Sequence, residues 1–546
     1  MTRSATISGR APKARVRAAA APADLAGVFG RLAGRPGCVW LDSAGGPRRL
    51  ARWSVLVAEP AAVLVTEGRT TRFIGRAGRT VLVRRGRPFD ALRAALAAAP
   101  LPAETDPPLP FGPGFYGYFA YDLAPFIEPT APLAARRDIP LPDLWFGLYD
   151  AALVVDGHQG QAFLVGAEGP AWSALEAALE APAAPLARES PHLEGNAGEP
   201  FRRRACAARS SGKRPPRRAV KAGAPGPSWN LSRDAYLAAV ERARQYIAAG
   251  DIFQVNLSRR LTVALADCGL RTRASQRSRF AASQSSIADC GLAAGESAAA
   301  GGWPALYGRL RRANPAPYAA YVGLDAGRAV LSSSPELFLD LAAGDAAGAD
   351  YVVTRPIKGT RPLRPGDEAF NRRMRDDLEA SPKDRAELVM IVDLERNDLG
   401  RVATYGSVRV AEPRTIEPYA AVYHTVATVE GRLHPGRDVV DLVKATFPGG
   451  SITGAPKVRA MQIIAELEPT RRSVYTGAIG YLAPPSARHP AGRCALNIAI
   501  RTLLAADDKV HVQVGGGIVA DSEPEAEFQE TADKARAMLA ALGLRP

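Results

Sequence analysis

Residues 381–400 read SPKDRAELVMIVDLERNDLG and predict the first of two acidic helices in this chain. Ser381 is a good N-cap, and Pro382 suits the first helical position because an N–H group there would have no intrahelical partner. Asp384 and Glu387 lie three residues apart. A helix therefore presents both carboxylates on one face.

A second acidic helix is predicted over residues 522–542, where Ser522 and Glu525 form a capping-box pattern. Glu527 and Glu530 repeat the spacing of three residues on this helix. If the two acidic faces meet, four carboxylates gather and repel one another, and a hard divalent cation such as Mg²⁺ would neutralise them. From the spacing alone, the alternative that both faces are solvated is favoured.

The order of the other elements indicates the fold class. Strands are predicted at 39–41, 61–66, 252–263, 426–429, 497–504 and 510–514, and further helices at 90–98, 232–250 and 455–468. Strands and helices are interspersed without a regular β–α alternation. This favours an α+β fold with antiparallel sheet over a doubly wound fold.

Two glycine-rich segments expose backbone N–H groups. Residues 448–457, PGGSITGAPK, run into a predicted helix N-terminus, where the helix dipole favours an anion. The spacing is not that of a Walker loop. Gly515, Gly516 and Gly517 follow a strand. Two such segments beside a metal would suit a small dicarboxylate, although each segment alone is more often a turn.

Lys358 lies in the segment TRPIKGTR at residues 354–361, on a backbone constrained by a nearby proline and glycine. If it is partly buried, its ammonium group could lose a proton and become a nucleophile. A solvated surface lysine is the more common alternative for such a residue.

The positive charge of the chain is concentrated in two segments. The chain holds 70 Lys+Arg against 55 Asp+Glu, a net charge of +15. Residues 1–20 hold five basic groups and residues 201–228 hold nine, with no acid in either, so +1 remains for the rest. Both segments are rich in Pro, Ala and Gly, and no aromatic residue stands between their charges. We therefore expect flexible segments and no nucleic-acid partner.

The spacing of the cysteines and the length of the apolar runs indicate the cellular compartment of the protein. The five cysteines are scattered and form no CxxC pair, which indicates a reducing compartment and argues against a structural zinc site. No run of about 18 uncharged apolar residues is present, so no membrane span is expected. The expected location is the cytoplasm.

The chain divides into segments by composition. We predict a flexible N-terminal extension at 1–20, an N-terminal subdomain at 21–185, a basic flexible linker at 186–228 and a large domain at 229–546. Within that domain, the low-complexity residues 265–302 are interpreted as an insertion.

Residues 229–546 resemble the chorismate-utilising enzymes, which include anthranilate, aminodeoxychorismate, isochorismate and salicylate synthases. The matching segments are GDIFQVNL at 250–257, SPE at 334–336, IVDL at 391–394, RND at 396–398, the loop at 448–457, and 515–522 with the acidic helix that follows. The resemblance implies two face-packed antiparallel β-sheets with helices outside. It identifies 229–546 as the chorismate-binding catalytic domain.

The resemblance also implies a set of site residues. Mg²⁺ would be bound directly by Glu387 and Glu530 and mostly through water by Asp384 and Glu527. The enolpyruvyl carboxylate of chorismate would be held by Arg501, Tyr475, Gly515, Gly516 and Gly517. His424, Ser451 and Lys534 match other pocket positions, and Glu336 matches the general acid that helps the 4-hydroxyl group leave.

Two positions separate the branches of this family. Members that add water have a lysine where Gln254 stands, so water is not the expected nucleophile. The PIKGT segment with Lys358 is typical of the aminodeoxychorismate synthases, whereas anthranilate synthases have alanine there. The implied mechanism is covalent: Lys358 attacks C2, ammonia adds at C4, and 4-amino-4-deoxychorismate, a precursor of p-aminobenzoate and folate, is released. Component I of anthranilate synthase is the alternative.

The implied reaction needs partners. No cysteine lies in a Gly-x-Cys-x-Gly elbow, so a separate glutamine amidotransferase subunit is expected to supply ammonia. A separate pyridoxal-phosphate lyase would complete p-aminobenzoate. Residues 40–43, with Trp53 and Ser54, resemble the segment in which relatives hold tryptophan, so tryptophan is a possible further ligand.

Overall fold

The computed structural model describes residues 14–76, 78–102, 108–134, 136–182, 226–268, 302–343 and 350–544. Most of the predicted linker at 186–228 and of the predicted insertion at 265–302 lies outside these residues. So do residues 1–13 of the predicted N-terminal extension.

Ten α-helices are present in the described residues. They are α1 Leu25–Leu32, α2 Pro88–Ala98, α3 Pro170–Glu180, α4 Arg233–Ala248, α5 Trp303–Ala313, α6 Glu368–Ala380, α7 Pro382–Gly400, α8 Val439–Thr446, α9 Lys457–Leu467 and α10 Pro524–Ala541. Short 3₁₀ turns occur at Tyr121–Phe126, Leu265–Cys268 and Gly450–Ile452. Ser381 begins α7 as expected, because its side chain accepts a hydrogen bond from the backbone N–H of Asp384.

The strands of the N-terminal segment and of the larger C-terminal segment follow in chain order. The first ten are β1 Arg15–Ala20, β2 Val39–Asp42, β3 Trp53–Val57, β4 Ala62–Glu67, β5 Thr70–Gly75, β6 Thr80–Arg85, β7 Gly114–Phe119, β8 Leu144–Tyr149, β9 Ala151–Asp156 and β10 Gln161–Gly166. The others are β11 Ser228–Trp229, β12 Gln254–Ala264, β13 Tyr318–Gly323, β14 Ala329–Ser334, β15 Leu337–Ala343, β16 Asp350–Arg355, β17 Ile357–Pro362, β18 Arg409–Pro418, β19 Val422–Arg432, β20 Gly454–Ala455, β21 Ala478–Ala483, β22 Arg493–Ile498, β23 Thr502–Ala506 and β24 Lys509–Ile518.

These strands form two antiparallel sheets of twelve strands each. The first sheet has the order β1-β10-β9-β3-β2-β13-β14-β23-β24-β12-β11, with β20 paired to β12. The second has the order β17-β19-β16-β15-β22-β21-β7-β8-β4-β5-β6, with β18 paired to β19. The α+β fold class with antiparallel sheets is confirmed.

The hydrophobic clusters show that the sheets pack face to face. One cluster joins residues of both sheets, for example Val154 and Val330 from the first with Tyr118 and Ile479 from the second. A second cluster covers the outer face of the first sheet with α1, α3, α5 and α10. A third covers the outer face of the second sheet with α2, α7 and α8. The order of layers is therefore helix, sheet, sheet, helix.

The N-terminal segment contributes strands to both sheets. Within the first sheet, β2 pairs with β13 of the C-terminal segment, and within the second, β7 pairs with β21. The predicted subdomain at 21–185 is therefore part of the same two-sheet body as the C-terminal segment. Sequence patterns show which residues form strands, but not which distant strands pair.

The prediction of one flexible extension over residues 1–20 is wrong for its last six residues. Arg15–Ala20 form β1, an edge strand that pairs along its length with β10. Arg15 pairs with Glu168, and Arg17 with Glu176 and Glu180, so acids of the α3 region compensate these charges.

The capping box predicted at Ser522 is also wrong. The helix begins two residues later, at Pro524, and Glu523 is its N-cap without a side-chain hydrogen bond. The Ser522 hydroxyl group donates to Glu527 instead. Among the described residues, no helix combines the length and the apolar character needed to cross a bilayer.

Candidate functional site

Lys358 lies on β17 and faces the acidic side of α7. Its Nζ is 4.0 Å from Oε2 of Glu387, and its side chain is 12% exposed. Burial lowers the pKa of Lys358, and the charge of Glu387 opposes this shift. A lysine in this setting releases its proton more readily than a solvated one, as a nucleophilic amine requires.

Gly359 lets the chain bend next to this lysine. Its φ is +81°, and the β17–β19 register shifts between Lys358 and Thr360. A Cβ atom at Gly359 would lie 3.0 Å or less from carboxylate atoms of Asp384, so this position needs glycine both for conformation and for space. Asp384 is paired at 3.1 Å with Arg361.

The acidic face of α10 lies next to the glycine run of β24. A Cβ atom on Gly516 would lie 3.1 Å from Oε2 of Glu527 and 3.5 Å from Oε1 of Glu530. Ser522 donates to Oε1 of Glu527 at 2.6 Å, while the buried Oε2 has no hydrogen-bond partner. Burial raises the pKa of Glu527. Burial acts in the same direction on Glu530, but Lys534 at 2.5 Å holds the pKa of Glu530 below its usual range.

The predicted magnesium ligands of α7 and α10 lie near one another. Burial is the main cause of the raised pKa of Glu387 on α7, and the charge of Glu530 on α10 acts in the same direction. The charges of Lys358 and Lys383 act in the opposite direction. Carboxylate oxygens are ligands that suit Mg²⁺, and the unpaired buried oxygen of Glu527 fits an approaching cation. Lysines now compensate part of this charge, and within the described ranges no three Asp, Glu, His or Cys side chains form a ready metal centre.

Glu336 has the surroundings of a proton donor. It is buried, and the Ser451 hydroxyl group donates to its Oε1 at 2.5 Å. Burial raises the pKa of Glu336 to about 7, while Ser451 and Lys358 act in the opposite direction. A carboxyl group that titrates near neutral pH can serve as a general acid.

Gln254 stands beside Lys358. A Cβ atom on Gly517 would lie 2.9 Å from Nε2 of Gln254 and 3.1 Å from Nζ of Lys358. Gln254 is fully buried, and neither of its side-chain polar atoms has a hydrogen-bond partner. Buried amides are normally paired, so this pair of atoms favours a polar ligand at this point.

Arg501 and Tyr475 lie together near the carboxylates. Burial lowers the pKa of Arg501, and the nearby Tyr475 and Glu530 oppose this shift. Burial raises the pKa of Tyr475 to about 12. Arg501 has a φ of +51°, a strained conformation for a residue with a side chain and one that is typical of functional sites.

His424 and Lys534 complete the predicted pocket positions. Burial, helped by the charge of Arg501, lowers the pKa of His424 to about 3, so its imidazole is neutral. Its Nδ1 is 2.9 Å from Oγ1 of Thr360. Lys534 donates to the carbonyl of Gly515 at 2.9 Å. The pKa shifts of Glu336, Lys358 and His424 all include a contribution from the charge of Lys534, and that of His424 also includes one from Arg501. These five residues therefore lie in one region.

The segment proposed for tryptophan is well packed. Trp40 is buried, and its neighbour Asp42 is paired with Arg311 and accepts a hydrogen bond from Tyr307 at 3.2 Å. The Ser43 hydroxyl group donates to the carbonyl of Trp53 at 2.6 Å. Asp42 and Ser43 therefore have partners within the protein, whereas the buried indole N–H of Trp40 has none.

Sequence reasoning assigned no role to two buried carboxyl groups of α7. Glu395 and Asp398, both on α7, are buried, and Lys457 donates to Asp398. The spacing of three residues that singled out Asp384 and Glu387 also relates Glu395 to Asp398, so the same signal was available.

Comparison with known proteins places this geometry in a family. Residues 36–286 and 296–540 match the family described as chorismate binding enzyme. The chain therefore belongs to the chorismate binding enzymes.

Two proteins and one crystal structure illustrate which members of the family this chain is similar to. Aminodeoxychorismate synthase component 1 of Klebsiella aerogenes is 39% identical over 94% of this chain and 95% of its own length. Anthranilate synthase component 1 of Streptomyces coelicolor is 39% identical over 84% of this chain and 78% of its own length. The crystal structure of anthranilate synthase component I from Streptococcus pneumoniae TIGR4 aligns with a TM-score of 0.62 and 26% identity, over 89% of this chain and 92% of that one.

Proposed function

We propose that this chain is an aminodeoxychorismate synthase component 1, which converts chorismate and ammonia to 4-amino-4-deoxychorismate. The observation that carries the proposal is Lys358. In a family that binds chorismate, a nearly buried lysine with a lowered pKa stands between a carboxylate of α7 and the unpaired amide of Gln254. The coverage of nearly the whole Klebsiella aerogenes relative supports the same conclusion.

The chemistry follows from these groups. The neutral amine of Lys358 bonds to C2 of the ring, the two double bonds shift, and the C4–O bond breaks. Glu336 gives its proton to the leaving hydroxyl group, which departs as water, because hydroxide is a poor leaving group. Lys358 is then attached to the ring as a secondary ammonium, and Glu336 is a carboxylate.

Ammonia completes the reaction at C4. Its nitrogen bonds to C4, the double bonds shift back, and the bond between C2 and the lysine nitrogen breaks with its electron pair returning to the lysine. The new C4 ammonium gives a proton to Glu336, which restores both side chains. The net change is replacement of the hydroxyl group by an amino group with release of water. Two displacements of lower barrier thereby replace one difficult displacement.

Substrate binding is assigned to the surrounding groups. Arg501, Tyr475 and the backbone of Gly515–Gly517 would hold the enolpyruvyl carboxylate, with His424, Ser451 and Lys534 as further pocket residues. Glu387 and Glu530 would bind Mg²⁺ directly, with Asp384 and Glu527 acting through water. The ion would supply positive charge for the ring carboxylate next to the reacting carbon.

Ammonia would come from a separate glutamine amidotransferase subunit, and the designation of relatives as a first component supports such a partner. A separate pyridoxal-phosphate lyase would act on the product. We place the reaction in the cytoplasm, and tryptophan remains a candidate ligand of the segment around Trp40. The alternative function is anthranilate synthase component 1, which the Streptomyces coelicolor relative favours.

Product identity tests this proposal. The purified chain is incubated with chorismate, Mg²⁺ and an ammonium salt, and the products are separated by chromatography with mass detection. We expect 4-amino-4-deoxychorismate without release of pyruvate. Fluorescent anthranilate together with pyruvate would establish the alternative.

A further inference from the structure

Glu395 is a buried acid that the proposed chemistry does not use. It lies on α7 eight residues beyond Glu387, and only 2% of its surface is exposed. A carboxyl group is costly to bury unless it is paired or hydrogen-bonded, so its contacts indicate its role.

The Glu395 carboxyl group packs against the backbone of Gly450. The Gly450 N–H donates to it, and a Cβ atom at Gly450 would lie 3.3 Å from its Oε1. On the other side, Oγ1 of Thr354 lies 3.5 Å from its Oε2. The residue after Gly450 is Ser451, whose hydroxyl group donates to Glu336 at 2.5 Å. One short turn therefore connects Glu395 to the proton donor.

The cation whose charge acts on Glu395, Lys457, is hydrogen-bonded to Asp398 and not to Glu395. Lys457 of α9 donates to Asp398 and, at 2.9 Å, to the carbonyl of Thr446. The charged or titratable groups facing Glu395 are Asp398 on its own helix, Lys457, and Glu336 across the turn. Burial first, and then the charge of Asp398, raises the pKa of Glu395.

We propose that Glu395 is a positioning residue: its carboxyl group accepts the Gly450 N–H and so holds the Gly450–Ser451 turn, which keeps the Ser451 hydroxyl group on Glu336. It acts through Gly450 and Ser451 and takes no step of the reaction itself. The inference rests on the proposed function in one respect, because the proton of Glu336 is taken to go to the leaving 4-hydroxyl group.

Two substitutions separate a role as hydrogen-bond acceptor from a role that needs the negative charge of a carboxylate. In Glu395→Gln the amide oxygen can still accept the Gly450 N–H, so we expect kcat for chorismate consumption within about threefold of the wild type. In Glu395→Leu the acceptor is lost, and we expect kcat to fall about 10- to 100-fold while the KM for chorismate changes less than about twofold. Asp393→Asn, an exposed residue of the same helix, is the matched control, and thermal unfolding verifies that each variant is folded.

The pH profile gives a readout that general loosening of the structure would not produce. The Ser451 hydrogen bond lowers the pKa of Glu336. Losing that bond should therefore move the alkaline limb of kcat/KM upward by about half a pH unit in Glu395→Leu and leave it in place in Glu395→Gln. Equal impairment of the two variants, or an unmoved limb in Glu395→Leu, would overturn the inference. Because total chorismate consumption is measured, release of anthranilate would refute the proposed function and still leave the comparison of variants valid.

Discussion

Strands β17 and β18 both pair with β19, but the ion pairs near the two strands differ in length and in how completely their polar atoms are paired. The pocket cluster comprises Lys358, Lys383, Glu387 and Glu527. Its ion pairs are long, 4.0 Å from Lys358 to Glu387 and 3.9 Å from Lys383 to the same carboxylate. One oxygen of Glu527 has no partner. Such a cluster retains capacity for a ligand.

The scaffold cluster comprises Arg49, Arg355, Glu412 and Glu417. Arg355 donates to Glu417 at 2.6 Å, and Arg49 donates to the same carboxylate and, at 3.0 Å, to Glu412. Thr428 also donates to Glu412 at 2.7 Å. These short contacts join the N-terminal segment to the strands that carry the pocket. The comparison of the two clusters indicates that short, complete pairing holds the strands, whereas the carboxylates of the pocket cluster keep capacity for a ligand.

The largest effect should come from the pocket cluster. Lys358→Ala removes the proposed nucleophile, and we expect formation of 4-amino-4-deoxychorismate to fall on the order of 10⁴-fold. The free energy of unfolding should change little, because the ion pair that is lost is long. The measurements are product formation with ammonium as nitrogen source and chemical denaturation. Lys509→Ala, at an exposed strand position, is the control, and substantial activity in Lys358→Ala would contradict the covalent role.

The scaffold cluster should behave in the opposite way. Glu417→Ala leaves the buried Arg355 without its nearest partner, so we expect the free energy of unfolding to drop by about 3–5 kcal/mol. Activity per folded molecule at low temperature should fall less than in Lys358→Ala. Denaturant unfolding measures the first quantity and kcat the second. A loss of activity in Glu417→Ala with full stability would remove the distinction between the clusters, and Glu466→Ala on the exposed face of α9 serves as control.

Local patterns predicted the acidic part of the site better than the scaffold. Ser381 as N-cap was confirmed because capping depends on neighbouring residues alone. Ser522 failed as a cap because its hydroxyl group is drawn to Glu527, a contact that depends on the position of the whole helix. The pairing of Arg49 with Glu417 joins residues far apart in the sequence and has no local signature. The resemblance to a family supplied the roles of the pocket residues, which spacing alone left open.

An intermediate effect is expected at Glu336, whose pKa is raised from 4.5 to about 7 mainly by burial. Because the folded state holds this proton more tightly, the contribution to stability is complete below about pH 4.5 and is lost as pH rises to about 7. The free energy of unfolding of the wild type relative to Glu336→Gln should therefore decrease by about 3 kcal/mol across this range.

Denaturation of both proteins at several pH values measures this difference. Wild-type activity should also fall above about pH 7, where the proposed general acid loses its proton. A pH-independent difference in stability would mean that Glu336 titrates near its ordinary value, and the group would then lack the proton that the proposed reaction needs.

The smallest effect is expected at Lys383, the half-exposed member of the pocket cluster. Its 3.9 Å pair with Glu387 is worth less than about 1 kcal/mol, so Lys383→Ala should leave the free energy of unfolding nearly unchanged. The charge of Lys383 also opposes a cation near Glu387. Its removal should therefore tighten the binding of Mg²⁺ about two- to fivefold at low salt, measured by titration calorimetry, with a smaller effect at high salt because the interaction is screened. Weaker Mg²⁺ binding in Lys383→Ala would show that the carboxylates of the pocket cluster do not receive the ion, since a positive charge beside the ligands can only compete with it.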